Sequence, residues 1–273
     1  MEEVAIQRVS PFEKRIHEID LIRGILMCLV VMDHIFNLFM NFGFEWAGAA
    51  HTQPYFGMYE VALFYWTNPV RHVVRWIALI GFVSVSGISC AFSRNNWARA
   101  GQMIGFWAIL FTGSNLLNAI VNANNWNFGI DTFRVDFNVI GVLAWSTLAY
   151  CFVQNKSWKW LLVIGIIGLC LHPICYILQD TKLGSEAYVP FLWRPTGGLL
   201  EQADYMPLFP YLGFFFLGAM LSKFTYGKDK KSYFKRHDWE RPFCFIGRHS
   251  LLVYISHFLV LIAIFSLVGL FIK

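Results

Sequence analysis

"HEIDLIRGILMCLVVMDHIF" (residues 17–36) decides how the whole chain is read. Its apolar run suits a lipid bilayer, yet it opens with Asp20 and Arg23 and carries Asp33 and His34 well inside. A charge at such depth costs about 2.5–3.5 kcal/mol even on the gentler insertion scale, so buried charges default to function. With 3.6 residues per turn and 1.5 Å of rise per residue, positions eleven apart differ by about 20° in direction and about 16 Å in height. Arg23 and His34 therefore share one stripe, with Met27 and Val30 between them. Asp20, three residues before Arg23, can pair with it, while Asp33 points roughly 100° away from His34. A cation at one end of the stripe and a titratable imidazole at the other suit a long, thin molecule bridging them. Snorkelling to anionic lipid explains Arg23 alone, and a hydrogen bond to a neighbouring helix explains His34 alone. The four residues together favour function.

The remainder of the 273-residue chain supports a membrane setting. It is 57% hydrophobic and 14% charged, with a mean hydropathy of +0.50, whereas soluble domains carry roughly 25% charged residues. Segments long enough to span fall at 19–41, 70–93, 100–122, 136–154, 158–178, 205–223 and 248–271. Only helices pair every backbone group inside one spanning segment, so an all-α polytopic bundle of about seven helices is expected. No linker or repeat divides it, and 1–273 reads as one domain. The polar first residues lack a cleavable signal pattern, so the first span is expected to remain as a helix.

With the N-terminus in the cytoplasm, all but six of the 22 Lys and Arg fall on the inner side. Four lie in the segment 1–23 and eight run from Lys223 to Arg248, giving an N-in, C-out orientation. The segment 1–18 is then cytoplasmic. "KFTYGKDKKSYFKRH" (223–237), within a basic cytoplasmic loop at 224–247, suits anionic lipid better than nucleic acid. Six cysteines without a CxxC pair support neither a disulfide framework nor a zinc site, so no metal is expected.

The long connections 42–69, 123–135 and 179–204 fall on the outer side, and long ordered connections tend to carry function. The first is rich in aromatics and suits the membrane interface. Asn115, Asn118 and Asn122 line one face of the third span at His34's level, and "NANNWNFGIDTFRVDF" (122–137) follows. Its amides and aromatics suit a carbohydrate-facing surface or, equally, a polar cap on the bundle. Arg134 and Asp136 can pair with each other at the start of the fourth span. Ser250, Tyr254 and His257 recur at i, i+4, i+7 in the last span, with Arg248 and His249 at its inner end. Gly81, Ser84, Gly87 and Ser89 favour close packing of the second span. Asp204 suits the N-cap of the sixth and places a carboxylate on His34's side.

These segments resemble a known family. "RIHEIDLIRGILMCLVVMDH" (15–34) is similar to the opening of the transmembrane acyltransferase superfamily, where R-x-x-x-x-D-x-x-R-G leads into a helix ending in His. "SVSGISCAFSRNNWARAGQM" (84–103), "DYMPLFPYLGFFFLGAMLSK" (204–223) and "GRHSLLVYISHFLVL" (247–261) resemble, in order, blocks of the heparan-α-glucosaminide N-acetyltransferase family. The resemblance implies transfer of an acetyl group from cytoplasmic acetyl-CoA to a sugar amine or hydroxyl across the membrane. It implies His34 as the catalytic imidazole, Arg23 helping to hold the donor, Arg248 and His249 near the inner CoA entrance, His257 in the pore and Asp204 near the acceptor; Asp20, Ser250 and Tyr254 are read beside them as donor-side residues. Asn115, Asn118, Asn122, Arg134 and Asp136 would face the acceptor. His51, in the loop after the first span, is the rival imidazole, because the animal lysosomal enzyme keeps its active His there. One block departs from the family: in "FNVIGVLA" (137–144) Gly141 stands where the family has His, and Asn138 and Ala144 replace its glycines.

The expected partners are thus membrane lipid, acetyl-CoA and an amino-sugar or glycan acceptor, in a bacterial cytoplasmic membrane, with a homo-oligomer left open. Two other readings suit the same residues: a proton-coupled transporter of a small polar solute, and an inactive sensor or assembly subunit. No repeat relates two halves of the chain, as many transporters show, while the missing family His suits the third reading.

Overall fold

The computed structural model describes residues 16–50, 55–125, 134–179, 191–192, 204–226 and 232–272, which form helices and turns without a strand. The order is α1 (His17–Ala50), α2 (Tyr55–Thr67), α3 (Pro69–Cys90), α4 (Asn96–Ala123), α5 (Val139–Val153), α6 (Trp158–Gln179) and α7 (Tyr211–Thr225), then a 3-10 turn (Asp238–Glu240), α8 (Arg241–Arg248) and α9 (Ser250–Ile272). Each expected span overlaps one of the longer helices. His51 lies outside the described residues.

Local chemistry sets several helix starts. Asn68, Asn95 and Asn138 stand before α3, α4 and α5, and their side-chain oxygens accept from Val70 N–H, Ala98 N–H, and the N–H groups of Ile140 and Gly141. These bonds satisfy donors that an uncapped helix would leave orphaned.

Among the described residues, three helices are long and apolar enough to cross a membrane by length and composition: Pro69–Cys90, Asn96–Ala123 and Trp158–Leu178. A fourth is possible if α8 and α9, bent by 80° at their junction, count as one span. The 34-residue α1 is long enough but carries Asp20, Arg23 and Asp33. The 15-residue α5 and α7 reach only about 22 Å, short of the roughly 30 Å hydrocarbon core. Two expectations change here. Part of the 42–69 connection is helix, since α1 runs on to Ala50 and α2 follows. The sixth span starts at Tyr211, not 205, so Asp204 is not its N-cap; Pro210 holds that position.

The bundle is centred on α1, which packs on α2, α3, α8 and α9, while α7 bridges α3 and α6 and α4 lies on α5. Two crossings depend on glycine. A methyl on Gly24 of α1 would overlap the Phe243 carbonyl of α8, and one on Gly87 of α3 would overlap the Phe215 carbonyl of α7. Met27, Val83, Phe215 and Phe216 are fully buried where these helices meet. On α4, Trp97, Ile109 and Leu116 are exposed and only Asn96, Ala100 and Val121 are buried. An exposed apolar face of that extent suits lipid contact.

Candidate functional site

Two cavities lie along α1, one toward each end of the Arg23–His34 stripe. The larger, of about 1110 Å³, is lined by Asp20, Arg23, Arg94, Arg99 and Arg248 among others. The smaller, of about 390 Å³, is lined by Asp33, His34, Tyr65, Arg71, Arg75 and Asp204 among others. Phe82, Val139 and Tyr254 belong to both linings and so form the wall between them. The stripe read from the sequence thus runs from one cavity to the other.

At the arginine-rich end, Asp20 lies between two guanidinium groups: Arg248 Nε donates to Asp20 Oδ2 at 3.2 Å, and Arg23 Nη1 stands 3.8 Å from Oδ1. Arg23 also donates to the Gly247 carbonyl at 3.3 Å and to Ser89 Oγ. These bonds tie α1, α3 and α8 together where α8 crosses, and they aim the arginines by backbone geometry. Ser250 lines the same cavity, but His249 does not: it is exposed at the α8–α9 bend, its ring against Phe245 and its Nδ1 3.0 Å from the Phe245 carbonyl. Arg94, Arg99 and Gln102 also line this cavity, although the sequence marks Arg94 and Arg99 only as inner-side cations.

At the other end, Asp33 is held bidentately by buried Arg71, with Nε–Oδ1 at 2.7 Å and Nη2–Oδ2 at 3.0 Å. Tyr65 Oη donates to the same carboxylate at 3.1 Å, and the Arg71 guanidinium lies 3.4 Å over the Trp66 ring. Planar fork geometry and a stacked aromatic face are what arginine offers over lysine. Asp33 is thereby committed to α2 and α3, as its direction on α1 requires. His34 instead meets His257 of α9, with Nδ1 and Nε2 2.5 Å apart and the two ring planes within 7° of parallel. His257 is buried and lines neither cavity.

The dividing wall is polar on one side. Tyr254 Oη donates to Asp204 Oδ2 at 2.9 Å, and Asn138 Nδ2 stands 3.4 Å from Tyr254 Oη. Asp204 therefore reaches His34's cavity, as expected, but from the segment before α7 and held by α9. Gly141, where the family has His, packs tightly: a side chain there would come within 2.8 Å of the Phe137 ring and 3.1 Å of Trp107. Asn138, the other departure, both caps α5 and approaches the wall tyrosine.

The remaining candidates serve one another instead. Asp136 is fully buried and accepts from Asn115 Nδ2 at 2.9 Å and Arg134 Nη2 at 2.8 Å. A buried carboxylate needs such pairing, and it spends Asn115 and Arg134 on joining α4 to α5. Neither these residues nor Asn118 and Asn122 line a cavity; Asn122 is exposed. No group of three or more His, Cys, Asp or Glu among the described residues could hold a metal ion.

The fold is thus an all-helical bundle with a cationic cavity and an imidazole cavity along one helix. A family model, heparan-alpha-glucosaminide N-acetyltransferase, catalytic, matches residues 15–259, and the chain belongs to this family. The match runs through both cavities and the wall between them. No curated protein and no solved structure gives a significant match.

Proposed function

We propose that the protein transfers an acetyl group from cytoplasmic acetyl-CoA to an amino sugar or glycan on the outer side of a bacterial cytoplasmic membrane, 1–273 acting as one domain. The observation that carries this reading is the pair of cavities meeting at Phe82, Val139 and Tyr254. The larger exceeds the roughly 300–1,000 Å³ typical of drug-sized ligand sites and has four arginines for phosphates, which guanidinium forks bind well. The smaller falls within that range and combines aromatic rings with carboxylates, a lining suited to one sugar unit.

In this reading, Arg23, Arg94, Arg99 and Arg248 hold the anionic end of the donor, and its acyl end reaches the wall. His34 takes the proton from the acceptor nitrogen or hydroxyl as that atom attacks the thioester carbonyl. The carbon–sulfur bond breaks, and the departing thiolate receives a proton. Histidine is the side chain most often used as a general base, and His34 is the imidazole that lines this cavity. Asp204, held by Tyr254, lies where it can position the acceptor.

Purified protein in detergent, given acetyl-CoA and a panel of amino sugars, is expected to release free CoA only when a suitable sugar is present. Uptake of the sugar into vesicles without CoA release would replace this reading with transport.

A further inference from the structure

The contact between His34 and His257 constrains where their protons lie. His257 Nδ1 is 3.1 Å from the Val253 carbonyl one turn earlier on α9. A carbonyl only accepts, so Nδ1 carries the hydrogen, and in the neutral ring Nε2 is then an acceptor. His34 Nδ1, 2.5 Å from that Nε2, must in turn be a donor. The Val253 carbonyl thus sets the tautomer of His257, and His257 sets that of His34. The ring of His34 is left with its lone pair on Nε2, for the cavity that it lines.

We infer that His257 is a positioning residue for the acetyl transfer: it holds His34 in the Nδ1–H tautomer and supports the imidazolium formed when Nε2 takes the acceptor's proton. The inference rests on the proposed role of His34. Only one hydrogen fits between the facing nitrogens, so the pair takes up a single proton. The acceptor's proton moves to His34 Nε2, the His34 Nδ1–H stays directed at His257 Nε2, and the same proton later leaves with the thiol product. This arrangement uses a second imidazole where other catalytic histidines use a carboxylate as orienter. The nearest carboxylates are otherwise engaged: Asp33 by Arg71 and Tyr65, and Asp204 by Tyr254. The other groups facing the pair are Tyr254, whose ring lies 5.5 Å from that of His257, Phe258 at 5.9 Å from His34, and Arg75 across the cavity.

The test combines nitrogen-15 NMR of histidine-labelled protein with kinetics of His257→Ala and His257→Gln. Wild type is expected to show His34 protonated at Nδ1 and bare at Nε2 at alkaline pH. His257→Ala should move the hydrogen to Nε2 and lower kcat roughly tenfold to hundredfold, as loss of an orienting partner commonly does, with KM for acetyl-CoA unchanged. His257→Gln, whose amide oxygen can still accept from Nδ1–H, should keep the tautomer and recover part of kcat. A wild-type His34 protonated at Nε2, or a tautomer indifferent to His257→Ala, would overturn the inference. The NMR readout needs no turnover, so an inactive protein with the Nδ1–H tautomer would sink the acetyl-transfer reading and leave the positioning intact.

Discussion

Asp20 and Asp33 are carboxylates beside opposite ends of the Arg23–His34 stripe on α1, and both are held by arginine, yet they leave opposite electrostatic remainders. Asp20 faces a cavity with four lining arginines, so most of that positive charge is uncompensated within the lining. Asp33 cancels Arg71, and the other charged residues beside it, Arg75 and Asp204, balance in sign. A cavity with surplus cations suits a polyanionic donor, while a charge-balanced cavity with an imidazole suits a group that must lose a proton. Under the proposed function, the difference puts the donor at the Asp20 end of the helix and the acceptor at the Asp33 end.

The largest effect should come from removing the imidazole from the balanced end. His34→Ala is expected to lower acetyl-transfer turnover roughly 10²- to 10⁴-fold, the usual contribution of a positioned acid or base. Isothermal titration with acetyl-CoA should show donor binding unchanged, because His34 lies outside the arginine cavity. Equal loss of binding and turnover would erase the distinction between the ends.

Next in size is Arg71→Ala, which strands Asp33 inside the bundle. Breaking a buried pair from one side costs about 3–5 kcal/mol, so thermal unfolding in detergent should move well down. Replacing both partners, Arg71→Met with Asp33→Leu, should cost less than the single change. The arginine end should respond differently. Arg99→Ala is expected to weaken acetyl-CoA binding by about 1.5–3 kcal/mol, the range for hydrogen bonds to charged groups, with little change in Tm. Raising the salt concentration should reduce that difference, since exposed charges are screened.

The smallest expected effect concerns the loop over the Arg23 end of α1. Glu18, just before the span, accepts from Ser232 Oγ at 2.5 Å and from Tyr233 N–H at 2.8 Å. Burial alone would raise its carboxyl, but these bonds outweigh it and hold the group below the usual carboxylate value. A depressed folded pKa gives stability that is present above the unfolded value and lost as pH falls through the folded one. Hydrogen exchange at Tyr233 should therefore quicken as pH drops below about 4, near the ordinary Glu range, relative to a Glu18→Gln protein with no such step.

Much of this comparison was legible along α1 itself. Residue spacing alone put Arg23 and His34 on one stripe, paired Asp20 with Arg23, and turned Asp33 away from His34. What connects separate helices was not legible. The His34–His257 contact joins residues 223 apart, and no periodicity says which helices become neighbours. Arg71 could have been sought, because a carboxylate inside a span requires a cation at its own depth and Arg71 begins the next long apolar run on that side. Asp204 was misread as an N-cap because its place before an apolar run resembles one; Pro207 and Pro210 delay the helix to Tyr211. The stretch 122–137 suited a carbohydrate-facing surface and a polar cap equally, and at its described end the fully buried Asp136 claims Asn115 and Arg134.

The central claim, that donor and acceptor occupy opposite ends of α1, is tested most directly in oriented proteoliposomes. Labelled acetyl-CoA would be supplied to the side bearing Arg23, and an amino sugar to the other. The account predicts acetylated sugar on the side opposite the donor, with no acetyl-CoA crossing. Acetylated product only on the donor's own side would contradict it.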